Sequence, residues 1–168
     1  MVNQVHGARV VHATAPGVQG DADAIVTTTP RLQIAVRVAD CAPIALLADD
    51  VVGVVHAGWR GIATGVIPAA LAAMRDLGAG DIRAVLGPCI HAECYEFGAE
   101  DLDAVAAELG DVVRGTTSWG TPALDLPAAV RAQLPGVIDE SVCTACSANQ
   151  WSFRARGDHE RQAVVAWL

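Results

Sequence analysis

The chain has 168 residues, 52% of them hydrophobic and 18% charged, with a net charge of −8 and a pI near 4.9. That is the length of one domain with ample apolar material for a core, which excludes a disordered chain. The acidic balance argues against a nucleic-acid partner. No Lys/Arg run suits a membrane surface, and no stretch reads as a membrane span or secretory signal, so a cytoplasmic protein is expected.

In chain order, residues 4–12 alternate loosely and end in a short strand at Val10-Val11, and Thr14 to Asp23, with Pro16, Gly17 and Gly20, reads as a loop. Ala24 to Thr28 and Leu32 to Ala39 read as strands, with Ile34, Val36 and Val38 on one face. Ile44 to Ala48 and Val51 to His56 flank Asp49-Asp50 as a hairpin. Gly61 to Leu77 carries a helical stripe of apolar residues. Pro68 either kinks that helix or lies in the first turn of a helix starting near residue 67. A strand over Ile82 to Leu86, a helix over Glu100 to Leu109 and a helix capped by Asp125 and running through Leu134 follow. Trp151 to Arg156 and Gln162 to Leu168 suggest a closing hairpin around Gly157-Asp158. Strands and helices are interspersed without a βαβ rhythm, so the fold class is mixed α/β, with no topology fixed.

Three residues carry the chemistry. Cys41 and His56 each end an apolar run, and His6 lies near the start, 35 residues before Cys41. A thiolate with two imidazoles suits zinc, and a catalytic zinc keeps three protein ligands and one open position. A Cys–His nucleophilic dyad is the rival, but it leaves the third histidine without a role. Asp40, beside Cys41, is a candidate acceptor for a ligand imidazole. Gly58-Trp59-Arg60-Gly61 follows His56. Arg60 and the amides of a helix starting near Gly61 would make an anion site, or the segment is a tight turn with a surface arginine.

Five cysteines in such a chain do not suggest a disulfide framework. Cys89-Ile90-His91-Ala92-Glu93-Cys94 lacks a fourth ligand at a usual spacing. Cys143-Thr144-Ala145-Cys146 has no second CxxC. Both are expected to be structural, the latter as core thiols. Five histidines without a His-x-His, and two methionines, disfavour multicopper or blue-copper chemistry.

Gln4-Val5-His6-Gly7, Ala22-Asp23-Ala24, Val38-Ala39-Asp40-Cys41-Ala42-Pro43, His56-Ala57-Gly58-Trp59-Arg60-Gly61 and Gly87-Pro88-Cys89-Ile90 occur in this order. Tyr95-Glu96, Gly98, Cys143-Thr144, Ser152-Phe153-Arg154 and Arg161-Gln162 follow them. The set resembles the purine nucleoside phosphorylase family also labelled "laccase domain" or "multicopper polyphenol oxidase", which includes the peptidoglycan editing factor. The resemblance implies an α/β/β/α layered sandwich with mixed sheets and a zinc held by His6, Cys41 and His56. It implies phosphorolysis of adenosine, inosine and methylthioadenosine, with adenosine deamination alongside, so the partners would be a purine nucleoside and phosphate. Arg60 would neutralise phosphate, and Asp40 would orient a ligand or handle protons. Alternatives are a peptidoglycan-precursor amidase on the same zinc and a non-catalytic zinc-binding domain. Members of that family carry a Thr-Arg-x-Gly-Gly-Val-Ser-like segment ahead of Gln-Val-His-Gly. This chain starts at Met1-Val2-Asn3, so a single domain short at its N-terminus is expected.

Overall fold

A computed structural model describes residues 1–168. The chain runs β1 (Val10–His12), β2 (Ala24–Thr27), β3 (Ile34–Val38), β4 (Ala42–Leu47), β5 (Val52–Ala57), α1 (Trp59–Ala63), α2 (Val66–Asp76), β6 (Arg83–Leu86) and α3 (Ala99–Leu109). It continues through β7 (Arg114–Thr116), β8 (Pro122–Leu124), α4 (Leu126–Gln133), β9 (Ile138–Asp139), α5 (Phe153–Arg156) and β10 (Gln162–Ala166), with 3-10 turns at Ala92–Cys94 and Asp111–Val113. The central sheet has the order β1-β2-β5-β4-β6-β9; β1 and β9 join their neighbours parallel, and the other pairs are antiparallel.

β5 reads Val-Gly-Val-Val-His-Ala and is buried along its whole length, so both of its faces must be covered. On one face Val55 joins Val26 and Leu46 under α2, whose buried stripe is Val66, Ile67, Ala70 and Met74. Gly53 lets the helix approach: a Cβ there would lie 3.2 Å from Met74 Sδ and 3.2 Å from Val26 Cγ1. On the other face Val52 and Val54 meet Ile34 and Val36 of β3 and Ala166 of β10. A two-stranded sheet thus packs on the six-stranded one, which packs on helices. These are the helix, sheet and sheet layers of the expected sandwich, and the fold is mixed α/β with a mixed sheet.

The helical stripe after residue 61 is broken at Gly65, which is left-handed with φ 86°, and not at Pro68. Pro68 sits in the first turn of α2, where no amide is needed. Asp125 caps α4 by accepting from Ala128 N at 2.8 Å. The expected closing hairpin does not form. Ser152 Oγ accepts from Ala155 N, Gly157 ends the turn with φ 69°, and Phe153–Arg156 is the short helix α5. β10 pairs instead with β3, with Ile34 opposite Ala166. The aromatic residues Trp151 and Phe153 favoured a strand, but a local cap and a distant anchor on Asp40 prevail.

Candidate metal centre and cavity

The fold brings His6, Cys41 and His56 together, with their donor atoms all within 4.8 Å of one another. His56 lies in β5, opposite Pro43, and Cys41 is the residue that enters β4. His6 arrives on the loop before β1 in a left-handed conformation with φ 59°. The His6 and His56 rings meet edge to face with centroids 4.8 Å apart.

What holds the trio is Asp23, fully buried at the entrance to β2. Its Oδ1 accepts from His6 N at 2.9 Å and from His56 Nδ1 at 2.7 Å. Its Oδ2 accepts from Gly7 N at 2.7 Å and from Val5 N at 3.2 Å. One carboxylate therefore folds the His6 loop onto the sheet and leaves Nε2 as the available ligand atom of His56. This corrects the expectation that Asp40 would serve the imidazole. The signal in the sequence was a lone carboxylate, between two alanines, leading into the apolar run Ala24-Ile25-Val26.

Asp40 acts elsewhere. With φ 100° it turns the chain between β3 and β4. Its Oδ1 accepts from Thr144 Oγ1 and its Oδ2 from Arg154 N, both at 2.7 Å. Its carbonyl accepts from Ile90 N at 2.8 Å. Asp40 thus ties the loop after β9 and the start of α5 to the site.

Asp23, His56 and Cys41 shift one another's ionisation. Burial works against ionisation of Asp23, yet the bond from His56 and the amides of Gly7 and His6 hold its carboxyl below the usual range. Burial would raise the Cys41 thiol, but bonds to His56 and His6 bring it down to about 7. Burial would lower His56, but Asp23 and Cys41 push it up to about 9. Gly58 leaves the space between the donors clear: a Cβ there would lie 2.7 Å from His6 Nδ1 and 3.1 Å from Cys41 Sγ. A Cβ on Gly61 would meet Gly7 O at 3.0 Å, so α1 needs glycine to lie against the His6 loop.

The trio opens into a cavity of about 700 Å³. Its walls carry Arg37, Arg60, Arg154 and Arg161, four of the 11 basic residues of an acidic chain, together with His159. Asp40 is the one carboxylate on the wall. Trp59, Tyr95 and Phe153 supply aromatic surface. Arg60 is exposed with its guanidinium 4.3 Å from the Trp59 ring centre, and Arg154 lies 4.9 Å from that of Tyr95. Helix α1 starts at Trp59, two residues ahead of the expected Gly61.

All five cysteines are unbridged. Cys94, Cys143 and Cys146 form a second group of donors within 4.8 Å of one another. Cys143 is buried but Cys146 is exposed, so the reading of both as core thiols is wrong for Cys146.

Fold and site together define a mixed α/β protein that gathers two imidazoles and a thiol in a basic cavity. The whole chain, residues 1–168, matches the family described as multi-copper polyphenol oxidoreductase laccase, and the protein belongs to that family. It is 44% identical to a Streptomyces coelicolor protein named purine nucleoside phosphorylase, over 99% of this chain and 74% of that one. It is 32% identical to an Aquifex aeolicus protein of the same name, over 91% of this chain and 73% of the other. The crystal structure of Neisseria meningitidis protein NMB0706, of the DUF152 family, superposes with a TM-score of 0.85 at 32% identity, over 99% of this chain and 73% of that one. YlmD from Geobacillus stearothermophilus gives 0.83 at 30%, over 96% and 70%. No helix is long and apolar enough to cross a membrane.

Proposed function

We propose that the protein is a zinc-dependent purine nucleoside phosphorylase with its reaction centre in the arginine-lined cavity. The observation that carries this reading is the His6–Cys41–His56 cluster within a wall of four arginines and three aromatic rings. Relatives named purine nucleoside phosphorylase support the substrate class.

The donor set fits zinc: a thiol poised to ionise, an imidazole whose other nitrogen is held by Asp23, and a glycine where a side chain would intrude. It fits a copper cluster poorly, because only two of the five histidines join the group. When bound, zinc supplies Lewis-acid polarisation of an oxygen at its open position.

The protein's own residues then account for binding and orientation. Arg60, with Arg37, Arg154 and Arg161 on the same wall, neutralises the phosphate dianion. Trp59, Tyr95 and Phe153 offer faces for the purine. A phosphate oxygen bonds to the anomeric carbon as the carbon–nitrogen bond breaks, and the purine leaves with that electron pair and takes up a proton. Asp40 is a positioning residue here, holding the arginine-bearing start of α5 in the wall. Adenosine deamination would use the same donors, with water in place of phosphate.

The test is release of free purine from inosine, adenosine and methylthioadenosine with and without phosphate. Phosphate-dependent release, lost in His56→Ala together with one equivalent of zinc, is expected. Release that ignores phosphate, or full activity in His56→Ala, would overturn the reading.

A further inference from the structure

Away from the arginine-lined cavity, two segments that sequence spacing kept apart meet through their sulfurs. The 3-10 turn Ala92–Cys94 brings Cys94 Sγ to 3.0 Å from Cys146 Sγ, and Cys143 completes a triangle whose donor atoms all lie within 4.8 Å. Glu93 Oε1 is 3.9 Å from Cys146 Sγ, with His91 Nδ1 3.8 Å behind that carboxylate oxygen. The backbone under the triangle is fixed. Cys89 and Cys143 form a β-bridge, Thr144 N donates to Cys89 O at 3.0 Å, and Ser147 N donates to Cys143 O at 3.0 Å.

A packing role explains Cys143, which is buried, but not Cys146, which is exposed. A redox pair would need two thiols; here a third thiol and a carboxylate complete the group.

We propose that Cys94, Cys143 and Cys146 form a second metal site, of the zinc type, closed by the Glu93 carboxylate. Zinc–thiolate bonds of about 2.3 Å place tetrahedral sulfurs about 3.8 Å apart, within the spread of this triangle once Cys146 swings outward from Cys94. Four protein ligands leave no open position, so the site is structural. It staples the turn that ends in Cys94 to the loop 143–146. Thr144 in that loop holds Asp40, and Tyr95 beside Cys94 lines the cavity. The metal therefore fixes two parts of the cavity wall while standing outside it. The site is independent of the nucleoside reading.

The experiment is metal counting on the whole chain, purified with its thiols reduced and loaded with zinc. Two zinc ions per chain are expected, falling to one in Cys94→Ser/Cys146→Ser and to one in His6→Ala/Cys41→Ser/His56→Ala. In the latter variant, cobalt(II) should give a thiolate-to-metal absorption about three times as strong as in Cys94→Ser/Cys146→Ser, since three thiolates replace one. Should a variant fail to fold, the count on the unaltered chain decides. One zinc per chain there overturns the proposal. So does a Cys94–Cys146 disulfide, seen by mass as the loss of two hydrogens in a glutathione buffer, in a chain whose triangle retains no metal.

Discussion

Asp23→Asn is the most incisive perturbation of the metal centre. Each oxygen of the buried carboxylate accepts two bonds, Oδ1 from His6 N and His56 Nδ1 and Oδ2 from Val5 N and Gly7 N. Asparagine turns one of these oxygens into an NH2 group. With the NH2 toward Val5 and Gly7, two of the four bonds are lost; with it toward His6 and His56, the His6 bond is lost and His56 keeps its own only by moving its proton to Nε2, the ligand atom. Hydrogen bonds to a charged group contribute about 1.5–3 kcal/mol each, so the loss is about 1.5–6 kcal/mol. That is a large share of the ~5–15 kcal/mol that holds a domain together. Zinc affinity should fall by at least the ~10–100-fold seen when a ligand imidazole loses its carboxylate partner, because the His6 loop is released as well. Urea unfolding of the metal-free protein and chelator competition for zinc read the two effects separately. A variant that unfolds within about 0.5 kcal/mol of the parent and binds zinc equally well would refute this account of Asp23.

Gly58→Ala should lose zinc while keeping its far-ultraviolet circular dichroism, since the new Cβ falls 2.7 Å from His6 Nδ1; full zinc occupancy in that variant contradicts the reading. Zinc affinity should rise about tenfold per pH unit between pH 7 and 9 and then level off. In that window Cys41, at about 7, has largely lost its proton, while His56, at about 9, must still release one to bind. Competition against a chelator of known protonation would show a flat profile if the imidazole were already neutral. Met74→Ala, emptying a fully buried site between α2 and Gly53, should cost about 2–5 kcal/mol in urea unfolding and leave zinc binding unchanged.

The strands under the site were legible because burial writes a period into them. Ile34, Val36 and Val38 alternate with half-exposed or exposed neighbours, and β5 is apolar throughout. His6, Cys41 and His56 could be chosen from residue chemistry, but nothing local reports their approach, which depends on the β4–β5 register and on the His6 loop folding over Asp23. The role expected of Asp40 falls to Asp23. Adjacency in sequence pointed to Asp40, whereas pairing of β2 with β5 puts Asp23 beside the ring. Residues 151–156 misled because strand propensity there is outweighed by Ser152 and by an acceptor 114 positions earlier. Cys94 and Cys146 lay beyond any spacing rule, since 52 residues separate them.

The tie between Asp40 and Arg154 has a consequence for the order in which the molecule is made. The donors and their carboxylate, His6, Asp23, Cys41 and His56, all emerge from the ribosome within the first third of the chain. The arginine that closes the wall follows 114 residues after Asp40. At ~5–20 residues per second, synthesis separates the two by roughly 6–23 s. For that interval the nascent cluster has Arg37 and Arg60 beside it but stands without Arg154, Arg161 or the β10 partner of β3. The donor cluster is therefore complete in sequence well before the last part of the wall that closes over it.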